Sequence, residues 1–133
     1  MIMQRMSGDV TTSLPTGFLD LDATVIGLRP ERLMILAGRL GSEKPVLGLK
    51  IAAHVAIDQD KTALFVSLEM SRQDVNKRLL ASCAELDAER NATGRIANEE
   101  RRRLVQAHNA LAPAPLLIDD EPRRSVAEIF AHA

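Results

Sequence analysis

The sequence feature that most constrains the fold is an apolar run followed by a glycine-containing loop and a helical pattern. The run covers residues 33–37, the loop begins at Gly38, and apolar residues at helical spacing begin near Val46. This order of strand, loop and helix is the setting in which phosphate-binding loops of the pattern G-x-x-x-x-G-K-[ST] occur. Lys44 stands six residues after Gly38, where the pattern requires lysine. The sequence therefore predicts a phosphate-binding loop at residues 38–45.

Two positions of this loop depart from the pattern. Glu43 stands where the second glycine is expected, and Pro45 stands where Ser or Thr is expected. Glycine before the lysine lets the backbone approach phosphates closely, whereas Glu43 adds bulk and a negative charge. Pro45 removes a backbone N–H and the hydroxyl that would bind Mg²⁺, although proline is well tolerated in the first turn of a helix. We therefore expect an intact helix and impaired nucleotide binding.

Composition excludes several classes of function. With 17 basic and 18 acidic residues the net charge is −1, so overall charge does not favour non-specific nucleic-acid binding. Cys83 is the only cysteine, which excludes a disulfide framework, favours a reducing cytoplasmic location and predicts a small buried residue on a helix. The three histidines share no ligand spacing, so no metal site is predicted from them. No stretch approaches the roughly 18 apolar residues of a membrane span.

Strand-like and helix-like segments alternate along the chain. Apolar segments predict strands at residues 33–37, 62–68 and 116–118. Helical spacing and capping residues predict helices at residues 46–57, 71–86 and 98–112 and after Ser125. This alternation predicts an α/β domain with a mostly parallel sheet and flanking helices. A partial sheet leaves an unpaired edge, so we expect self-association or pairing with a partner protein.

Six short segments, taken in their order, resemble a known family. They are Thr16-Gly17-Phe18-x-Asp20-Leu21-Asp22, Gly27-Leu28-x-Pro30-x-x-Leu33, the loop from Ala37 to Lys44, Ser67-Leu68-Glu69-Met70-Ser71, Thr93-Gly94-Arg95-Ile96 and Leu117-Ile118-Asp119-Asp120. The fourth segment is the most diagnostic. Together they resemble the N-terminal portion of the RecA-like C-terminal motor domain of DnaB-type replicative DNA helicases, over residues from about 8 to 130.

The resemblance implies a RecA-like P-loop NTPase fold in a partial motor domain at residues 1–133, with its core at about residues 14–133. It implies that the glutamate polarising the attacking water is Glu69. It also implies nucleotide-binding positions at Gly38, Arg39, Gly41, Ser42 and Lys44. ATP and Mg²⁺ are the cofactors that the family uses, and DNA is its substrate. The family's Walker B strand, DNA-contacting loops and arginine finger have no counterpart here, so we expect an incomplete domain and leave ATP hydrolysis open.

Three hypotheses about function follow. The first is an enzyme, the nucleotide-binding part of an ATP-dependent DNA helicase that acts in replication. The second is a nucleotide-silent module that docks onto a helicase or another replication protein, which the changes at Glu43 and Pro45 favour because both affect phosphate contacts. The third is a decayed remnant, against which the intact apolar periodicity argues.

Overall fold

The computed structural model describes residues 13–39, 42–86 and 98–132. The chain divides into two compact units, Met1–Lys44 and Pro45–Ala133, so the single partial domain predicted over residues 1–133 stays a prediction. In chain order the helices and strands are α1 (Leu19–Val25), α2 (Lys44–Ile57), β1 (Ala63–Val66), α3 (Arg72–Cys83), α4 (Asn98–Leu111), β2 (Leu116–Asp119) and α5 (Val126–His132). The family motif Thr93-Gly94-Arg95-Ile96 lies outside the described ranges.

In the first unit, the two N-terminal motifs form a small framework around α1. The Asp22 carboxylate accepts the backbone N–H of the fully buried Thr16 at 2.8 Å. Leu14 and Leu28 form an antiparallel bridge whose two N–H···O distances are 2.8 and 2.7 Å. Gly27 has a φ of +70°, and a Cβ there would lie 2.7 Å from the Leu14 carbonyl oxygen. Only glycine fits both the backbone angle and the close approach.

The predicted strand at residues 33–37 is not formed, so that prediction was wrong. Leu33 and Ile35 are 87% and 81% exposed, and Met34 and Leu36 are exposed as well. Within the described residues, no backbone hydrogen bond joins this run to another segment. A strand is defined by pairing with a neighbour, and an apolar run without one cannot form a ladder. The sequence correctly indicates an apolar run, but it does not indicate whether another strand pairs with that run.

In the second unit, β1 and β2 form a parallel pair that packs against helices. Phe65 stands opposite Ile118 in the register of the two strands. Helices α2 and α3 each contribute two residues to the centre of the core. The two residues of each helix are four positions apart and therefore lie on one face of that helix. These buried residues are Leu49, Ala53, Val75 and Leu79, and the partly buried Ile57, Phe65, Met70, Leu111, Leu116 and Ile118 pack against them. The predicted α/β arrangement with a parallel sheet is confirmed.

Side chains cap two helices of the second unit, α3 and α5, where the sequence predicts. The Ser71 hydroxyl accepts the backbone N–H of Asp74 at 3.2 Å and so satisfies one free donor of the first turn of α3. At α5, Ser125 accepts the N–H of Glu128 at 3.3 Å, while the Glu128 carboxylate accepts the N–H of Ser125 at 2.8 Å. This second arrangement is a reciprocal capping box.

Cys83 departs from its predicted environment. It is the last residue of α3 and is exposed, whereas the next residue, Ala84, is buried. The prediction of a buried cysteine was therefore wrong, because the helix ends at this turn and its spacing no longer decides which side chain faces the core. No helix among the described residues is both long enough and apolar enough to span a membrane.

Candidate phosphate-binding loop and strand-end carboxylates

The predicted phosphate-binding lysine lies folded over the loop that precedes it. The Lys44 ammonium donates to the carbonyl oxygens of Gly38 at 3.1 Å and Arg39 at 3.0 Å. It also lies 3.4 Å from the Ser42 hydroxyl, which itself donates to the Arg39 carbonyl at 2.7 Å. The loop therefore closes around a positive charge at the start of a helix, and both features favour an anion.

Glycine at the first loop position leaves room for the Ser42 hydroxyl. A Cβ on Gly38 would lie 2.6 Å from the Ser42 hydroxyl oxygen and 3.4 Å from the Lys44 side chain. A larger residue would therefore displace the Ser42 hydroxyl from its present position. The structure thus brings together Gly38, Arg39, Ser42 and Lys44, while the predicted Gly41 lies outside the described residues.

The two departures from the loop pattern have different structural consequences. Pro45 is the second residue of α2, and the helix forms as predicted because first-turn N–H groups need no partner within the helix. Glu43 is exposed, and the Lys44 ammonium is held by loop oxygens rather than by the Glu43 carboxylate. The residues present fit a phosphate at Lys44. They do not fit Mg²⁺ in the expected manner, because Pro45 has no hydroxyl to bind the metal.

The predicted catalytic carboxylate, Glu69, lies in the second unit just after β1. Its side chain is exposed and makes no hydrogen bond or ion pair with a described residue. The buried Ser67 hydroxyl holds the bend around it, donating to the Met70 carbonyl at 2.8 Å and accepting the Met70 N–H at 3.1 Å. Glu69 is thus a free carboxylate on a bend that has its own internal support.

The carboxylates that end β2 are bound within the protein. Asp119 accepts the Arg124 Nε–H at 2.9 Å, and Asp120 accepts the backbone N–H of Arg72 at 2.7 Å. The sequence predicts this pair only as part of a family motif and gives no sign of what Asp120 binds. One signal could have indicated this contact. A carboxylate that follows one strand of a parallel sheet lies near the helix that follows the neighbouring strand, and the first turn of that helix has free N–H donors. Among the described residues no group of carboxylates, histidines and cysteines is arranged to hold a metal.

Comparison with known proteins identifies the class of this fold. A solved ATPase domain superimposes with a TM-score of 0.81 and 26% identity, covering 96% of this chain and 45% of its own. The structure of a DnaB-like replicative helicase and its interactions with primase gives a TM-score of 0.81 and 27% identity, over 91% of this chain and 30% of that one. The fold is that of part of a RecA-like helicase ATPase domain.

Sequence comparison then identifies the family. Residues 13–133 match the family model described as DnaB-like helicase C terminal domain, and the chain belongs to this family. The replicative DNA helicase DnaB of Leifsonia xyli is 35% identical over 120 residues, which cover 90% of this chain and 26% of that protein. The replicative DNA helicase DnaC of Bacillus subtilis is 33% identical over 97% of this chain and 28% of its own length. The chain thus spans little more than a quarter of these two relatives.

Proposed function

We propose that this chain supplies the phosphate-binding loop and the catalytic glutamate of a replicative DNA helicase motor, with nucleotide binding weakened at Glu43 and Pro45. Its function by descent is ATP-driven unwinding of DNA during replication. The family match over residues 13–133 supports the descent. The weakened binding is supported by the chemistry of the two substituted residues, since one adds negative charge and the other removes a Mg²⁺ ligand.

The single observation that carries this proposal is the position of the Lys44 ammonium. It lies within hydrogen-bonding distance of Gly38 and Arg39 carbonyl oxygens, so the loop is already closed around the charge that would meet a phosphate. A phosphate would replace these ammonium–carbonyl contacts with contacts in which donor and acceptor are both charged. The role of Glu69 as the residue that polarises water rests on family resemblance and on its free, exposed carboxylate.

The cofactors, partners and location of this chain are part of the same proposal. ATP is the nucleotide, DNA is the substrate, and the family's reaction takes place in the cytoplasm. Oligomerisation or contact with another replication protein is expected, and one of the similar structures is described with its interactions with primase.

A second candidate function is a nucleotide-silent interaction module. The observation that favours it is the apolar run at residues 33–36, whose four side chains are all exposed. Adjacent exposed apolar residues of this kind mark interaction surfaces more often than isolated ones do. In this alternative the P-loop scaffold is retained for folding, and the run binds another protein.

Calorimetric titration of Mg·ATP into the purified chain and into the Glu43→Gly/Pro45→Thr variant separates the two functions. We expect the unmodified chain to show no measurable binding. The double variant should bind with a dissociation constant at least tenfold below the weakest that the titration detects. Adding Lys44→Ala to the double variant should abolish that binding. Glu31→Gly is the matched control, because it removes the same side chain at a φ of 59° that suits glycine, outside the loop.

Each outcome decides between the candidates. Binding recovered by the double variant and lost again with Lys44→Ala supports a helicase motor weakened at its phosphate site. Tight binding by the unmodified chain would contradict the weakening and strengthen the enzyme function. Silence from the double variant, with an intact fold, would contradict the motor proposal and leave the interaction module.

A further inference from the structure

The segment that carries Glu69 connects β1 to α3 without regular structure of its own. Residues 67–71 form a bend, and the Glu69 side chain makes no bond that would hold it there. The position of this carboxylate therefore depends on the attachments of its neighbours. A general base must lie within hydrogen-bonding reach of the proton that it removes, so any freedom in this bend would reduce its efficiency.

One end of the bend is attached to β2 through the backbone. The Ser67 N–H donates to the Asp119 carbonyl at 2.8 Å, which continues the parallel register beyond the pair Val66 and Asp119. The Ser67 hydroxyl then closes the bend on Met70 through two hydrogen bonds. This attachment fixes where the bend begins.

The other end is attached through the Asp120 side chain. One carboxylate oxygen accepts the Arg72 backbone N–H at 2.7 Å, and the other lies 3.6 Å from the Arg72 guanidinium. The Arg72 N–H is one of the free donors at the start of α3, and Ser71 satisfies a different one, that of Asp74. A residue 48 positions along the chain thus satisfies a further free donor of the helix start and joins the end of the bend to the end of β2.

We propose that Asp120 is a positioning residue that holds the Glu69 bend in place for the proposed ATPase reaction. It acts through the Arg72 N–H and does not touch the nucleotide. The proposal rests on the proposed function of Glu69. It makes the geometry of the general base depend on the residue that follows β2, so a displacement of that strand end would be transmitted to Glu69.

Backbone amide exchange, followed by NMR on the whole 133-residue chain, tests the attachment directly. Asp120→Ala should accelerate exchange at Arg72 and Met70 by roughly tenfold, since it removes a hydrogen bond to a charged acceptor. Asp120→Asn keeps an acceptor oxygen and should restore most of the protection. Glu121→Ala is the matched control, because this neighbouring carboxylate is exposed and makes no side-chain bond with a described residue.

The amides of Val75 and Leu79, in the core of α3, distinguish positioning from a general loss of stability. Unchanged exchange there supports the proposal, whereas uniform acceleration across α3 would overturn it. Exchange at Arg72 equal to that of Glu121→Ala would overturn it as well. Should Asp120→Ala fail to fold, Asp120→Asn decides: a smaller acceleration confined to Met70 and Arg72 supports the proposal, and none contradicts it.

A second readout keeps this proposal separate from the proposed function. If the Glu43→Gly/Pro45→Thr variant hydrolyses ATP, adding Asp120→Ala to it should lower kcat at unchanged KM, and adding Asp120→Asn instead should recover most of kcat. A double variant that binds ATP but does not hydrolyse it would contradict the proposed catalytic role of Glu69, while the exchange measurement still decided the attachment. The expected faster exchange at Arg72 and Met70, combined with an unchanged kcat, would show that Asp120 holds the bend without affecting catalysis. That result would overturn the proposed role of Asp120 in the ATPase reaction.

Discussion

Two apolar runs of similar length form different structures in this protein. Residues 33–36 and residues 63–66 each contain four consecutive apolar side chains, and the sequence predicts a strand for both. The second run forms β1, pairs with β2 and is only partly exposed. The first run forms no strand, and Leu33 and Ile35 are more than 80% exposed.

The difference between the two runs comes from distant partners rather than from local preference. Phe65 packs against the core cluster and stands opposite Ile118, which arrives much later in the chain. No described segment offers the first run a comparable strand. Apolar composition therefore identifies a segment able to enter a sheet, but pairing decides whether it does.

The largest expected effect is a difference in stability when leucine is replaced by alanine in the core and in the run at residues 33–36. Leu49→Ala should lower the free energy of unfolding by about 3 kcal/mol, because Leu49 is fully buried and its loss leaves a cavity. Leu33→Ala should change it by less than about 0.5 kcal/mol, since Leu33 is 87% exposed. Urea unfolding of both variants measures the difference. Equal destabilisation would show that residues 33–36 are buried in the folded protein and would remove the contrast.

A smaller effect is expected on self-association. Replacing Leu33 and Ile35 by lysine should weaken it, because two exposed apolar side chains become charged along an unpaired run. We expect the dissociation constant of any dimer to rise by at least tenfold in analytical ultracentrifugation. Val105→Lys, an exposed apolar position on α4, is the control and should leave association unchanged. A monomer at all concentrations before mutation would contradict the predicted association itself.

The smallest expected effect concerns the helix that follows β1. Ser71→Ala should lower the free energy of unfolding by about 1 kcal/mol, the usual contribution of an N-cap hydroxyl. Ser71→Asp, which offers an acceptor at the same place, should restore most of it. Urea unfolding again provides the measurement. No loss in the alanine variant would show that the Asp120 carboxylate alone suffices to cap this helix start.

Much of the fold and part of the site could be predicted because the signals were local. Ser71 and Asp74, three positions apart, predict a helix start. Pro45 is compatible with a first helical turn because its ring fixes a helical φ and the missing N–H needs no partner there. The contact between Lys44 and the Gly38 carbonyl could be predicted because the two residues belong to one short loop. The contact of Asp120 with Arg72 was not predicted, because no local pattern identifies partners that are 48 residues apart.

By itself, the sequence determined where helices begin, which apolar segments are able to form strands, the parallel pairing that this order favours, and the identities of the residues at the predicted phosphate-binding loop. Only the tertiary structure decided that residues 63–66 become a strand while residues 33–36 do not, and that the Asp120 carboxylate binds the Arg72 N–H. The physical reason is the range of the interactions. Turn, cap and periodicity signals act within a few residues, whereas strand pairing and side-chain attachment depend on segments that only folding brings together.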